Sequence, residues 1–372
     1  MTTLHVTLDE LAARPHGGPA RYAGELTRAL LATAPEGTEV VGMVPASPEP
    51  DYARITDMLP GLARLEKSVL AHRELAAAWR RGLARPGRTG MLHATSLLAP
   101  LGPHDRVHQP GDQVAVTVHD TIAWTSPELL PARTVRWRRG IASRAERHAD
   151  AIVVPSHAVA AELAEQLELG DRIRVIPGAP SSGLIPQGDT AARAAELGLP
   201  ERYLLTVAST APAKNLAALL DALALTREPT PLVVVGAEPE AVDALAAERG
   251  LDPQRVHALG VVPDADLGVA YLHAHAYLQP SAAEGFGHAV VEALGFGLPI
   301  IHTDVPALEE LTAGAALVVP RDPATLPGDL ADAIDSLDGA LAERLGTAAG
   351  DRARAYSWRD SADKVWQLHA DL

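Results

Sequence analysis

Short apolar runs rich in β-branched residues alternate with stretches of helical period from one end of this chain to the other. Such alternation is the signature of βαβ units, in which crossover helices join parallel strands and cover both faces of a sheet. Strands are expected near residues 3–8, 38–44, 90–93, 114–119, 151–154 and 173–177. A second set is expected near 203–207, 231–236, 255–260, 277–279, 299–302 and 315–318. Between the sets, Pro177-Gly-Ala-Pro-Ser-Ser-Gly-Leu-Ile-Pro-Gln-Gly188 is dense in turn formers and lacks periodicity, so it reads as a linker. The expected class is α/β, with two doubly wound parallel-sheet domains, residues 1–180 and 181–356, facing a cleft. A length of 372 residues suits two domains of about 150–200 residues each.

Composition narrows the function classes. Apolar residues make up 47% of the chain, enough for two cores, and no apolar run approaches the about 18 residues of a membrane span. The N-terminus reads directly as a strand, with no basic or apolar leader, so no secretory signal is expected and the location is read as cytoplasmic. Cysteine is absent, which excludes disulfides, thiolate zinc sites and cysteine nucleophiles. The net charge of −15 is uneven: residues 1–180 hold 20 basic and 20 acidic side chains, so the remainder carries the whole excess. With no basic excess to neutralise phosphates, nucleic acid is not an expected partner. Any anion held by the acidic half must be gripped locally, by helix termini and one or two placed cations.

Residues 280–303 are the most informative stretch. Glu284 and Glu292 stand either side of Gly285-Phe286-Gly287-His288, which leads into a short helix that Gly297-Leu298-Pro299 ends before a strand. Both phenylalanines of the chain, Phe286 and Phe296, fall here. A carboxylate on a loop, free N–H groups at a helix start and a second carboxylate farther on suit a phosphorylated, hydroxyl-rich ligand. Bare Glu-x7-Glu spacing is weak, and the two side chains need not share a face. The surrounding Pro-Ser, Gly-Phe-Gly and Gly-Leu-Pro-Ile-Ile frame makes it specific.

Other strand ends carry candidates. Pro15-His16-Gly17-Gly18-Pro19 precedes a helix bearing Tyr22, Leu26 and Leu30, and is either an ordinary loop with a proline start or a backbone approach to a ligand. His119-Asp120 ends the strand at 114–119, where the histidine either caps local backbone or faces the cleft. Lys214, followed by Asn215, is one of three lysines in a chain with 29 arginines. An ammonium retained in so arginine-rich a chain suits a point charge on phosphate; the alternative is a solvated surface lysine. His273 and His275 have a chelating spacing only if they lie on a strand, and no carboxylates frame them. Arg133, Arg136, Arg138, Arg139, Arg144, Arg147 and Trp137 form a basic helical stretch, either a solvated face or a surface for anionic lipid or an anionic acceptor.

Taken together, the chain resembles a retaining GT-B glycosyltransferase of glycosyltransferase family 4, the Glu-x7-Glu group with a group 1-like C-terminal domain. The resemblance runs through Gly17-Gly18-x-x-Arg21-Tyr22, Leu92-His93-Ala-Thr-Ser96, Val118-His119-Asp120, Val154-Pro-Ser156 and Arg174-Val-Ile-Pro177-Gly178. It continues through Pro212-Ala-Lys214-Asn215-Leu216, Ala258-Leu259-Gly260, the Glu284–Glu292 block and Tyr356-Ser357-Trp358. It implies two Rossmann-like domains, with a last helix at about 357–372 returning to the first.

The donor implied is a nucleoside diphosphate sugar, with no cofactor and no metal. The resemblance implies that Glu292 binds the ribose, while Glu284 sits at the transferring sugar. The N–H groups of Gly285 to His288, Phe286 and Gly287 included, contact sugar and phosphates. Lys214 beside Asn215 neutralises the leaving diphosphate, and Gly17-Gly18 approaches it. His119, with Asp120, contacts the donor sugar, and Gly260-Val261 lie by position near the base. A hexose, mannose- or rhamnose-type by subgroup, is transferred with retention to a hydroxyl of a glycan, glycolipid or small molecule. The basic stretch places the protein peripherally at the inner membrane face if the acceptor is lipid-linked.

Three departures stand out. Ser209-Thr210 and Ala213 occupy positions where members commonly carry a second basic residue, Ala20 replaces a frequent third glycine, and His288 stands where many members have an apolar residue or proline. The missing cation keeps open a non-catalytic protein that binds a nucleotide sugar or a partner subunit. A sugar-nucleotide epimerase on the same fold would lack the Glu-x7-Glu frame.

Overall fold

The computed structural model describes residues 2–13, 17–83, 90–227 and 229–372, the side chain of Ala13 excepted. Pro15 and His16 of the first glycine loop lie outside the described residues. The chain divides into two units, Met1–Gly178 with Ser357–Leu372, and Ala179–Tyr356.

The first unit is built on seven parallel strands: β1 (Thr2–Thr7), β2 (Thr38–Ala46), β3 (Arg64–Ala71), β4 (Met91–Ala94), β5 (Gln113–Thr117), β6 (Ala151–Val154) and β7 (Ile173–Val175), in the order β3-β2-β1-β4-β5-β6-β7. The winding reverses between β1 and β4, and at such a switch point the loops leaving the strands diverge and open a crevice. Here Thr7 and Thr95 tie the two strand ends together: Thr95 Oγ1 donates to the Thr7 carbonyl at 2.6 Å, and the Thr95 N–H donates to Thr7 Oγ1 at 3.1 Å. One apolar cluster, including Leu4, Val6, Tyr22, Leu26 and Val365, fills one face of the sheet. A second, including Leu92, Val116, Ile141 and Ile152, fills the other.

The sequence reading lacks β3. This strand pairs with β2 at the sheet edge, and its residues alternate between partial and full exposure. It carries Arg64, Glu66 and Lys67, the charged content that keeps an exposed edge from recruiting another strand and also hides it from an apolar-run search. The closing helix Trp358–Asp371 packs on the helix Gly18–Ala32 of the same unit. Trp358 meets the Tyr22 ring edge-on at 5.7 Å, Trp366 Nε1 donates to Thr33 Oγ1 at 3.1 Å, and Ser361 Oγ donates to the Pro177 carbonyl at 2.7 Å.

The second unit has six parallel strands: β8 (Leu204–Val207), β9 (Leu232–Val235), β10 (Val256–Gly260), β11 (Ala276–Gln279), β12 (Ile300–Thr303) and β13 (Leu317–Val319), ordered β10-β9-β8-β11-β12-β13. The winding is the same and its reversal falls between β8 and β11. Two doubly wound sheets were expected and two are found, with strand limits within a few residues of those read from sequence. The stretch read as a linker is not a free connector. Ala179, Ser181 and Leu184 are buried in the second unit. The turn Ser182–Leu184 lies against the helix Asp264–His273 so closely that a Cβ on Gly268 would fall 1.9 Å from the Leu184 carbonyl oxygen. Backbone cannot yield as a side chain can. Gly268→Ala should therefore destabilise the second unit by about 3 kcal/mol, the upper end for overpacking, read as a lowered midpoint in urea unfolding.

Candidate active site

The switch point of the second unit gathers the strongest sequence candidates. The loop leaving β8 makes a tight turn at Pro212–Lys214 and passes through Asn215 at φ 53°, ψ 37°, a left-handed conformation that asparagine tolerates better than most residues. The loop leaving β11 runs alongside, and the Ala282 N–H donates to the Ala213 carbonyl at 2.9 Å. Across this junction Lys214 Nζ donates to Glu284 Oε2 at 2.5 Å, with the two side chains 32% and 17% exposed. The cation and the loop carboxylate thus arrive together from opposite sides of the reversal.

Gly287 then caps the helix His288–Gly295 at φ 93°, where a Cβ would lie 2.5 Å from a Leu308 methyl, so both conformation and space demand glycine. Phe286 is buried, edge-on to His288 at 5.2 Å and to Tyr356 at 6.0 Å, and this packing anchors the loop. Glu292 lies one turn into the helix, 2% exposed, with Oε2 3.0 Å from the Tyr271 hydroxyl. Beneath the site runs a buried polar line: Tyr277 donates to Gln279 Oε1 at 2.5 Å, Gln279 Nε2 donates to Ser281 Oγ at 2.6 Å, and Thr303 Oγ1 donates to the Ser281 carbonyl at 2.5 Å. Burial, above all, pushes the Tyr277 phenol well above its usual range; a hydrogen bond with the Val207 backbone opposes this, and the charges of Glu292 and Glu284 add to it. One phenol therefore senses both glutamates. Gly260 ends β10 at φ 67°, followed by the half-exposed Val261, at the far edge of the sheet.

Candidates of the first unit sit at its own strand ends. Gly17, at φ 137°, caps the helix that begins at Gly18, and its carbonyl accepts from the Arg21 N–H at 2.9 Å. His119 Nε2 lies 2.8 Å from the Thr95 carbonyl oxygen. A carbonyl only accepts, so Nε2 carries the proton and Nδ1 keeps the lone pair. Burial, outweighing that hydrogen bond, depresses the imidazole pKa and keeps the ring neutral. Asp120 is committed locally: its Oδ1 accepts from Arg138 Nη1 at 2.6 Å and from the Ile122 N–H at 3.1 Å.

Residues 16–179 match the family model described as Glycosyltransferase Family 4, and residues 189–351 match the one described as Glycosyl transferases group 1. The chain is a GT-B glycosyltransferase of these families. Among solved structures, this glycosyltransferase superposes with a TM-score of 0.73 on sucrose-phosphate synthase from Thermosynechococcus elongatus, at 21% identity over 100% of this chain and 99% of that one. It superposes with a TM-score of 0.75 on Anabaena HepE in complex with UDP-glucose, at 15% identity over the full length of both. These likenesses speak for the fold. Among curated relatives, it is 29% identical over 271 residues, 70% of each chain, to O-antigen chain mannosyltransferase B of Escherichia coli. It is 32% identical over 224 residues to D-inositol 3-phosphate glycosyltransferase of Nocardia farcinica, matching 54% of this chain and about half, 49%, of that relative.

The geometry adds residues that the sequence reading of this glycosyltransferase missed. Asp9 follows β1 and is 2% exposed; it accepts from Ser96 Oγ at 3.2 Å and faces His72 Nε2 at 3.8 Å. The rule that singled out His119-Asp120, polar residues at a strand's carboxyl end, would also have found it. Arg321, beyond β13, pairs with Asp304 at 2.7 Å and points Nη1 at the Ala282 carbonyl at 3.4 Å, so a second cation stands on the rim that carries Glu284. Tyr271 had no local signal at all. Of the basic helix Ala132–His148, Arg138 and Arg144 turn inward, to Asp120 and to the Leu101 carbonyl, while the exposed Arg139 donates Nε to the Ala123 carbonyl. His275 accepts from Arg202 at 2.8 Å, and among the described residues no group of three or more His, Asp or Glu side chains gathers for a metal ion. No helix among them is long and apolar enough to cross a membrane.

Proposed function

We propose that the protein transfers a hexose, of mannose or rhamnose type, from a nucleoside diphosphate sugar to a hydroxyl of a glycan, glycolipid or small metabolite, with retention and without a metal. The observation that carries the proposal is the Lys214–Glu284 contact across the switch point, followed by a buried Glu292 on the next helix. As the glycosidic C–O bond breaks, negative charge gathers on the diphosphate and positive charge on the sugar ring. Lys214 neutralises the first and Glu284 eases the second, each a preorganised charge aimed where charge develops. In the resting pair these charges satisfy one another, and donor phosphate takes over the ammonium. Glu292 accepts from the ribose hydroxyls, and the N–H groups from Gly285 to His288 serve sugar and phosphates. In the first unit, neutral His119 offers its Nδ1 lone pair to a sugar hydroxyl, while Gly17-Gly18 leaves room for phosphate. The curated relatives, named as mannosyltransferases and inositol-phosphate glycosyltransferases, support sugar transfer to a hydroxyl-rich acceptor.

Ser209-Thr210 and Ala213, in place of a second basic residue near Lys214 in the sequence, favour the rival, a non-catalytic nucleotide-sugar binder; Arg321 on the same rim weighs against it. We further propose a cytoplasmic protein that rests on anionic lipid through exposed arginines of the basic helix, Arg133, Arg136 and Arg147 among them.

The experiment is a thermal-shift panel of GDP, UDP, dTDP, ADP and CDP and their sugar conjugates, followed by transfer assays with chelator present. One donor should raise the midpoint by mass action and turn over, with the product keeping the donor's anomeric configuration by NMR. A shift without turnover across a wide acceptor panel would establish the binder; no shift from any nucleotide would remove both readings.

A further inference from the structure

Glu284 and Glu292 are held in chemically different ways. Glu284 is paired with an ammonium, which cancels its charge until a ligand intervenes. Glu292 accepts from a phenol, a donor that brings no charge of its own. A buried carboxylate that is to accept from ligand hydroxyls needs the second arrangement: donors that orient it without neutralising it.

Tyr271 supplies that orientation. It lies in the helix Asp264–His273, which begins just beyond Gly260 and Val261, the loop assigned above to the base. Its ring is fully buried, stacked on Phe296 at 5.3 Å with an interplanar angle of 14°, and tilted against Tyr277 at 5.8 Å. Its hydroxyl stands 3.0 Å from Glu292 Oε2 and 3.1 Å from the Ala289 carbonyl oxygen, both acceptors, so a single proton serves the carboxylate and the helix that carries it. The rings of Phe296 and Tyr277 and the close approach of Gly268 to Leu184 fix where that hydroxyl is. A phenylalanine would fill the same ring space; the hydroxyl has its purpose in those two acceptors.

We infer that Tyr271 is a positioning residue that sets the Glu292 carboxylate for the ribose diol and so makes the site discriminate ribonucleotides from deoxyribonucleotides. The inference rests on the donor-binding reading above and adds a specificity determinant to it. A site built to bond a hydroxyl rejects the analogue lacking it, because its buried acceptor is then left unpaired.

The test measures, by calorimetry, the affinities of GDP and UDP and of their 2′-deoxy and 3′-deoxy counterparts for the wild type, Tyr271→Phe and Glu292→Gln. The better-bound ribonucleotide should exceed its deoxy forms by about tenfold or more in the wild type and by only about two- to threefold in both variants. Inorganic pyrophosphate should bind all three proteins alike. Phe296→Leu, which keeps the hydroxyl but loosens its seat, should give an intermediate ratio, and it stands in should Tyr271→Phe fail to fold. A wild-type ratio retained in Tyr271→Phe, with affinity lowered equally for every nucleotide, would make Tyr271 structural only and overturn the inference. A wild type that binds ribo and deoxy forms equally would overturn it while leaving donor binding intact. A wild type that binds no nucleotide would bring down the donor reading itself.

Discussion

Lys214→Ala should lower kcat/KM for sugar transfer by about a hundred- to a thousandfold while leaving the melting temperature nearly unchanged. A unit charge about 4 Å from phosphate at an effective dielectric near 20 is worth about 4 kcal/mol, or nearly three decades of rate. Only the part that strengthens as the diphosphate departs accelerates the step, and Lys214 is 32% exposed, so solvent screening sets the lower bound. The small effect on stability follows from the same exposure, since such ion pairs contribute about 0–1 kcal/mol to folding. Lys214→Arg keeps the charge but trades a compact ammonium for a planar fork, and should recover part of the rate. Steady-state kinetics beside calorimetric melting decide the matter. A loss below tenfold, in a protein as stable as the parent, would remove Lys214 from the role of leaving-group cation and shift attention to Arg321.

The second large effect is on acid stability. His93 lies on β4 under the closing helix, fully buried, and neither ring nitrogen has a hydrogen-bond partner among the described residues. Its ring meets that of His369 at 5.7 Å. Burial depresses the His93 pKa from 6.5 to about 4. Burial, then the neighbouring His93, then Arg106, depress that of His369 to about 3. Both rings are therefore neutral in the folded protein at pH values where the unfolded chain already binds protons. Stability is fully present above about pH 6.5 and is lost as pH falls towards 4. For His93 alone the loss is about 2 kcal/mol at pH 5 and about 3 kcal/mol below pH 4. His93→Leu removes the titrating group, so urea midpoints for the variant should fall less steeply between pH 7 and pH 4 than those of the wild type. Parallel pH slopes would show that the ring is solvated in the folded state. The sign also bears on function, because burial likewise lowers the His119 pKa and so favours the neutral ring whose lone pair the proposed role uses.

Much of the candidate site was legible in the sequence because its residues obey a local rule of placement. Polar residues beyond the carboxyl end of a buried strand meet ligand, and this rule singled out His119, Lys214 and the Glu284 loop without coordinates. Gly287 was read as part of the ligand loop, while its positive φ and its packing against Leu308 came only from the structure. Asp9 obeyed the strand-end rule and was passed over beside its apolar neighbours. Asp120 obeyed it too, yet its carboxylate is taken up by Arg138, a residue eighteen positions on that the basic-helix reading had turned outward. The edge strand β3 was lost because protection from aggregation requires charges that break an apolar run.

What the sequence determined by itself is what short-range chemistry encodes: strand and helix periods, turn formers, charge distribution, and which side chains leave the ends of strands. These are set by each residue's own conformational and solvation preferences. What only the tertiary structure decided is partnership. Nothing near Tyr271 in the chain says that its hydroxyl reaches Glu292, nor near Glu284 that Lys214, seventy residues away, will meet it at 2.5 Å. Those contacts arise because a parallel sheet whose winding reverses brings distant loops to one rim, and because close packing leaves a buried polar group only the partners that the fold delivers.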